Sequence, residues 1–198
     1  MDPINVLVVD DDPSIVEMIR LGLETDGMKV LSAGDGAEAL EVLAREPVDM
    51  NALLQEIAAL LLGEWQARGV TLTVQVDARL PRIRGDEQML RRAFMNLTLN
   101  ACQAMPAGGR VTLAARGTLG GVELSVRDTG PGLPADDLPR IFDRFYRADD
   151  SRVRDEGGSG LGLAIAKSIV LAHGGQIRAE SEEGKGLEVI ITLPVTQD

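Results

Sequence analysis

Aromatic side chains make up only 3% of this 198-residue sequence, so any core must be assembled from Leu, Val, Ile and Ala. Cysteine is almost as scarce: the lone Cys102 can form no internal disulfide, which fits a reducing, cytoplasmic setting. Long apolar runs are missing as well. The longest, Ile57 to Leu62 and Leu161 to Ala166, fall far short of the roughly 18 residues a membrane-spanning helix needs. The opening Met1-Asp2-Pro3-Ile4-Asn5 has no basic stretch ahead of an apolar one, so a signal peptide is not expected and any membrane anchor would sit on another chain. Positive charge is short too, with 20 Lys and Arg against 31 Asp and Glu and a net charge of −11. The shortfall is local: residues 1–50 hold 12 acids and 3 bases, whereas residues 51–198 hold 19 and 17. A negative overall field argues against nucleic acid as the partner, because phosphate contacts need clustered Lys and Arg. No internal repeat is visible.

What is present reads as two unequal parts. Val6 to Val9 is an apolar run that ends in Asp10-Asp11-Asp12, the pattern of a buried parallel strand with acids at its carboxyl end. Pro13 and Ser14 open a helix with Ile15, Met18, Ile19 and Leu23 on one face, and Asp26-Gly27 stops it. A second strand, Lys29 to Ala33, leads through Gly34-Asp35-Gly36 into a helix carrying Ala39, Leu40 and Leu43. This β-α-β-α order is the start of a doubly wound, flavodoxin-like α/β sheet.

Where a third parallel strand is due, a helix comes instead, from Met50 to Arg68. Then follow an alternating strand at Val70 to Val76 and a helix after Gly85-Asp86 with apolar residues at 90, 93, 94, 97, 101 and 104. Strands are expected at Arg110 to Ala115 and Val122 to Arg127, and a short helix around Leu138 to Tyr146. A helix from Leu161 to Ala172 and strands at Gln176 to Ala179 and Leu187 to Leu193 close the chain.

Three local patterns carry chemistry. Asn96 and Asn100 lie four apart on one helix face, with Gln103 a turn further on, so their carboxamides stack. Asp128-Thr129-Gly130-Pro131-Gly132 places an acid just past a strand end, followed by glycines that let a ligand approach the backbone while the carboxylate accepts a hydrogen bond from an amine. Gly157-Gly158-Ser159-Gly160-Leu161-Gly162-Leu163 opens into a helix, where bare amide N–H groups and the helix amino end suit a polyphosphate. There is no Gly-x-x-x-x-Gly-Lys-Ser/Thr loop, which excludes a P-loop protein.

In this order, and with Ile141-Phe142-Asp143-Arg144-Phe145-Tyr146-Arg147 between the last two, these patterns resemble the N, G1, F and G2 boxes of the ATP-binding catalytic domain of sensor histidine kinases of the GHKL superfamily. The likeness covers about residues 48 to 195, and Asn100 to Pro106 looks most like the nitrogen-regulatory type. It implies a two-layer α/β sandwich, a mixed sheet on three helices, over residues 48–198. It also implies ATP and Mg²⁺ as ligands. Asn100 would hold the Mg²⁺; Asp128 would read the adenine amine, with Gly130, Gly132 and Leu133 beside the base. Gly158, Ser159, Gly160, Leu161, Gly162 and Leu163 would line the phosphate end, and Arg144 and Arg147 could reach it. Related ATPases of the gyrase and chaperone group place a Glu where Asn96 stands; an amide cannot take a proton from water, so Asn96 favours transfer to a protein over hydrolysis. Gln103 stands where many of these kinases have Lys, and Leu187, after Gly184-Lys185-Gly186, where Thr is usual.

The family phosphorylates a histidine on a separate helical hairpin. The one histidine here, His173, reads as a helix-terminus residue, so the expected partners are a histidine-containing hairpin or a response regulator on another chain. Residues 1–47 have their own resemblance, to the front of a response-regulator receiver domain, in which Asp10 and Asp11 would be a vestigial Mg²⁺-binding pair. That likeness stops at Pro47-Val48-Asp49, before the receiver's acceptor Asp. Two other functions compete with a kinase acting on another chain: a non-catalytic, nucleotide-dependent interaction module, and a gyrase-type ATPase.

Overall fold

The computed structural model describes residues 5–25, 28–43, 47–146 and 160–195. They form two compact units, residues 1–47 with 84–86 and residues 48–83 with 87–198.

In the first unit, β1 (Asn5–Val9) pairs in parallel with β2 (Lys29–Ala33), in a register that sets Val6 against Val30 and Val9 against Ala33. The connecting helix α1 (Pro13–Thr25) begins on a proline, whose fixed φ suits a first helical position, and the Asp12 carboxylate accepts from the Ser14 N–H at 2.8 Å. Helix α2 (Gly36–Leu43) is capped in the same way by Asp35, which accepts from the Glu38 N–H at 2.8 Å. Two strands cannot cover a helix, however. No residue of α1 is buried, and Ile15, Met18, Ile19 and Leu21 are exposed, Met18 to 68%. Among the described residues of this unit the buried apolar ones are Val8, Ala33 and Ala39, with Leu7 and Leu31 packed against the two alanines.

A two-residue strand β3 (Pro47–Val48) pairs with β5 (Ile83–Arg84). The second unit is built on a five-stranded mixed sheet. Its strands are β4 (Val70–Val76), β6 (Gly109–Thr118), β7 (Gly121–Asp128), β8 (Gln176–Glu182) and β9 (Gly186–Pro194), in the order β4-β6-β7-β9-β8. The β4–β6 pair is parallel and the rest are antiparallel. Alternation decides the inner face: Val111, Leu113 and Ala115 of β6 and Val122, Leu124 and Val126 of β7 are buried. Against them lie α3 (Met50–Ala67), α4 (Glu87–Gln103) and α5 (Gly162–Ala172). Asp49 caps α3, its carboxylate accepting from the Ala52 N–H at 3.1 Å. The buried stripe of α4, Leu90, Ala93, Phe94, Leu97, Ala101 and Cys102, has the spacing of one helix face, and each large member buried adds about 2 kcal/mol of transfer free energy. This is the sandwich of a mixed sheet on three helices that the resemblance implies.

One expected element is shorter. The helix expected around Leu138 to Tyr146 is a single 3₁₀ turn, Leu138–Arg140. Its next hydrogen bond, Asp143 N–H to the Arg140 carbonyl at 2.8 Å, keeps the tighter i to i+3 pattern, and Phe145 then enters the left-handed region at φ 65°, which no α-helix continues through.

Candidate functional site

Asp128 ends β7 with its side chain turned inward, 2% exposed. Both of its hydrogen bonds fall on Oδ1, from the Gly130 N–H at 2.8 Å and from the Leu187 N–H at 3.2 Å. Burial pushes the carboxyl above its ordinary 3.8, and the two backbone donors pull the other way. A buried acid held through one oxygen is costly for a fold and useful to a ligand that can supply a donor to the other.

Backbone packs closely around the turn that follows Asp128. Gly132 has φ +68°, and a Cβ there would run into the Glu182 carbonyl; a Cβ on Gly186 would run into the carbonyl of Asp128 itself. The loop after Asp128 is laced to the β8–β9 hairpin. The Gly184 N–H donates to the Pro131 carbonyl at 2.6 Å, the Leu133 N–H donates to Ser181 Oγ at 2.8 Å, and that hydroxyl donates to the Gly186 carbonyl at 2.8 Å. Leu133, expected beside the base, is therefore held half-buried in this lacing.

Asn96 and Asn100 sit half-buried on α4, as their spacing requires, and Gln103 at its end is exposed. Asn96 Nδ2 is buried without a hydrogen-bond partner. Beside it lies the start of α5: an ideal Cβ on Gly162 would stand 3.7 Å from Asn96 Cβ and 3.9 Å from Cγ. Leu161, the residue before α5, provides no side-chain cap, and the first N–H groups of the helix have no partner within the helix itself. The orphaned amide and the uncapped helix end thus meet at one place, and both are donors. Leu161 and Leu163 are half-buried, and Gly160, at φ +69°, accepts from the Phe145 N–H at 3.0 Å.

Arg144 is exposed and lines a shallow groove of about 450 Å³ with Met89, Arg92, Phe145, Leu161 and Ile165. Another depression, about 620 Å³, is on the open face of the sheet around Ala114, Ser125 and Ile190, and its lining contains neither Asp128 nor the asparagines. Arg147, Gly158 and Ser159 lie outside the described residues. Asp10 and Asp11 stand at the end of β1, where Asp10 Oδ1 accepts from the Asp12 N–H at 2.9 Å. Among the described residues no group of three His, Cys, Asp or Glu side chains is placed to hold a metal. His173 caps α5, with Nδ1–H donating to the Ile169 carbonyl at 2.7 Å.

Sequence reasoning missed Ser181, and it missed what Leu187 does. Its departure from Thr concerns the side chain, whereas the bond to Asp128 comes from the backbone N–H, which any residue but proline supplies. Ser181 shares the half-buried face of β8 with Ile177 and Ala179, but its partner, the Leu133 N–H, is 48 residues away and has no local signal.

The profile of the histidine kinase-, DNA gyrase B- and HSP90-like ATPase family matches residues 85–197. The chain is 43% identical over 162 residues to the sensor protein DivL of Caulobacter vibrioides, a match covering 82% of this chain and 20% of DivL. It is 37% identical over 203 residues to the sensor-like histidine kinase SenX3 of Mycolicibacterium smegmatis, covering 98% of this chain and 52% of that one. The chain thus spans from a fifth to about half of the length of these curated relatives. Among solved structures, full-length ShkA in complex with AMPPNP superposes with a TM-score of 0.68 at 31% identity, covering 93% of this chain and 36% of ShkA.

Proposed function

This chain belongs to the histidine kinase-, DNA gyrase B- and HSP90-like ATPase family, and on that premise we propose that residues 48–198 bind ATP with Mg²⁺ and pass its γ-phosphoryl group to a histidine carried by another chain. The observation that carries the reading is Asp128. Its buried carboxylate is engaged by backbone through Oδ1, which leaves the second oxygen for a ligand's donor, and the exocyclic amine of adenine is a neutral N–H donor of the right kind. Gly130 supplies the N–H that fixes Oδ1, and Gly132 lets the loop close against Glu182.

The phosphate end is supported by a separate pair of features. Asn96 Nδ2 lacks a protein partner, and the amino end of α5 is uncapped beside it; both suit the oxygens of a triphosphate. Mg²⁺ fits as an ion shared with the nucleotide. Asn100 offers one oxygen, and the phosphates and water would complete the shell, as is usual for this cation. When bound, the ion would neutralise charge on the phosphates. Asn96, being an amide, cannot serve as a base for water, which favours transfer over hydrolysis. In the transfer an imidazole nitrogen of the acceptor forms a bond to the γ-phosphorus as the bond to the bridging oxygen breaks and ADP leaves. His173 closes the carboxyl end of α5, with Nδ1–H held by the Ile169 carbonyl, and reads as a helix-terminus residue.

ShkA was solved with AMPPNP, which accords with a nucleotide in the equivalent fold. We assign residues 1–47 to a receiver-like segment on the parallel β1–β2 pair with Asp10 and Asp11 at its end, the whole acting in the cytoplasm with a response regulator as the downstream partner. The test is incubation of the full chain with γ-labelled ATP and a separate histidine hairpin domain. Label on the hairpin is expected. Bound ATP with no label transferred contradicts the phosphotransfer.

A further inference from the structure

We propose that Met105 and Thr129 are a pair of positioning residues that aim the Asp128 carboxylate, and so set the preference of the site for a purine bearing an exocyclic amine; this rests on the assignment of Asp128 to the base. The aim of Asp128 depends on where the chain turns after β7, and the next residue, Thr129, is held three ways. Its N–H donates to the Arg110 carbonyl at 3.1 Å, its Oγ1 accepts from the Arg110 N–H at 3.0 Å, and its hydroxyl donates to Met105 Sδ at 3.5 Å. A thioether is a weak acceptor, but it has no competing donor demand and fixes the hydroxyl rotor.

Met105 is itself immobilised. It is 4% exposed just beyond α4, its N–H donating to the Cys102 carbonyl at 3.1 Å and its carbonyl accepting from the Gly108 N–H at 2.9 Å. The space around the pair admits no additional methyl group. A Cβ on Gly109 would run into Met105 Sδ and lie 2.9 Å from Thr129 Oγ1; a Cβ on Gly130 would lie 3.3 Å from Met105 Cγ and 2.9 Å from Asp128 Oδ1. Gly130 is the residue whose N–H fixes that oxygen at 2.8 Å. The Met105 side chain therefore bears on both sides of the turn: its sulfur accepts from the Thr129 hydroxyl, and its Cγ stands within 3.3 Å of where a Cβ on Gly130, the residue that holds the carboxylate, would lie. Binding constellations lose selectivity when their support loosens by more than about 0.5 Å, and this pair removes that slack.

A merely structural role would lower the affinity for every nucleotide alike, whereas a positioning role acts on the amine contact alone. The probe is purine riboside 5′-triphosphate, which keeps the sugar and phosphates of ATP and lacks the 6-amino group. The wild-type chain is expected to bind ATP about tenfold or more tightly than this probe, the effect of one hydrogen bond to a charged group. In Thr129→Val that ratio is expected to fall by about threefold or more, with affinity for the probe within about twofold of wild type, and Thr129→Ser is expected to restore it. Met105→Leu keeps the bulk and loses the acceptor, so its ratio is expected to fall in the same sense. It carries the test if Thr129→Val fails to fold. Equal losses for both nucleotides, or an unchanged ratio in either variant, overturn the proposal. A wild-type ratio of one overturns the assignment of Asp128 to the base and the proposal with it, and no binding of either nucleotide overturns the nucleotide reading itself.

Discussion

The backbone N–H of Leu187 donates to Oδ1 of Asp128 at 3.2 Å, across 59 residues of sequence. Through this bond the start of β9 and the end of β7 hold one carboxylate, and the site depends on the pairing of these two strands. The donor is the main chain, so the bond does not depend on the Leu187 side chain, which is buried.

Asp128 should make the ligand-free fold sensitive to pH in a particular direction. Burial raises its folded pKa above 3.8, so the native state binds the proton more tightly than the unfolded chain. Its contribution to stability is full below 3.8 and is lost as pH rises through the raised value. At neutral pH the ionised group is a burden. Asp128→Asn keeps an oxygen to accept from Gly130 and Leu187, and is expected to melt no lower than wild type at pH 7 while binding ATP poorly. A clear drop in melting temperature at pH 7 contradicts this.

Gly132→Ala is expected to do the reverse and lower both properties. Its φ of +68° disfavours any Cβ by about 1 kcal/mol, and the added methyl would meet the Glu182 carbonyl. Thermal unfolding should show a loss of about 2 kcal/mol or more, with ATP affinity falling alongside. A variant as stable as wild type would mean that the loop after Asp128 is not laced to β8.

Cys102 is expected to be inert toward thiol reagents in the native state. It is fully buried, and burial, with the Asp128 and Glu64 charges nearby, pushes the thiol up to about 11, so little thiolate exists at neutral pH. Labelling should proceed only under unfolding conditions; native labelling at the rate of a free thiol contradicts the burial.

Two apolar substitutions should differ widely. Phe94→Ala removes a fully buried ring of α4 and is expected to cost about 3–5 kcal/mol in denaturant unfolding of the second unit. Met18→Glu, on an exposed turn of α1, is expected to change stability by less than about 0.5 kcal/mol. Similar losses at both positions would contradict the absence of buried residues in α1.

The strands whose pattern is purely local were readable from sequence. Alternation located Val70 to Val76, and an apolar run between glycine-bearing turns located Lys29 to Ala33. Polar strand ends were not: Glu180-Ser181-Glu182 reads as loop, yet it continues β8 because an edge strand can charge its solvent face while pairing with β9. The stretch after Pro139 carries apolar residues at helical spacing, but Phe145 turns left-handed to donate to Gly160, a tertiary contact 15 residues on that overrides propensity. Within the site, Asp128, Gly130 and Gly132 declare themselves by spacing. Ser181, Met105 and the Leu187 N–H do not, because what they do is defined only once distant strands and the end of α4 are brought to the turn.

The most direct measurement is a calorimetric titration of the full chain with ATP in the presence of Mg²⁺, wild type against Asp128→Asn. Saturable binding by wild type, weakened about tenfold or more in the variant, is the expected result. Equal affinity in the two proteins, or no heat of binding in wild type, would contradict a nucleotide site organised around Asp128.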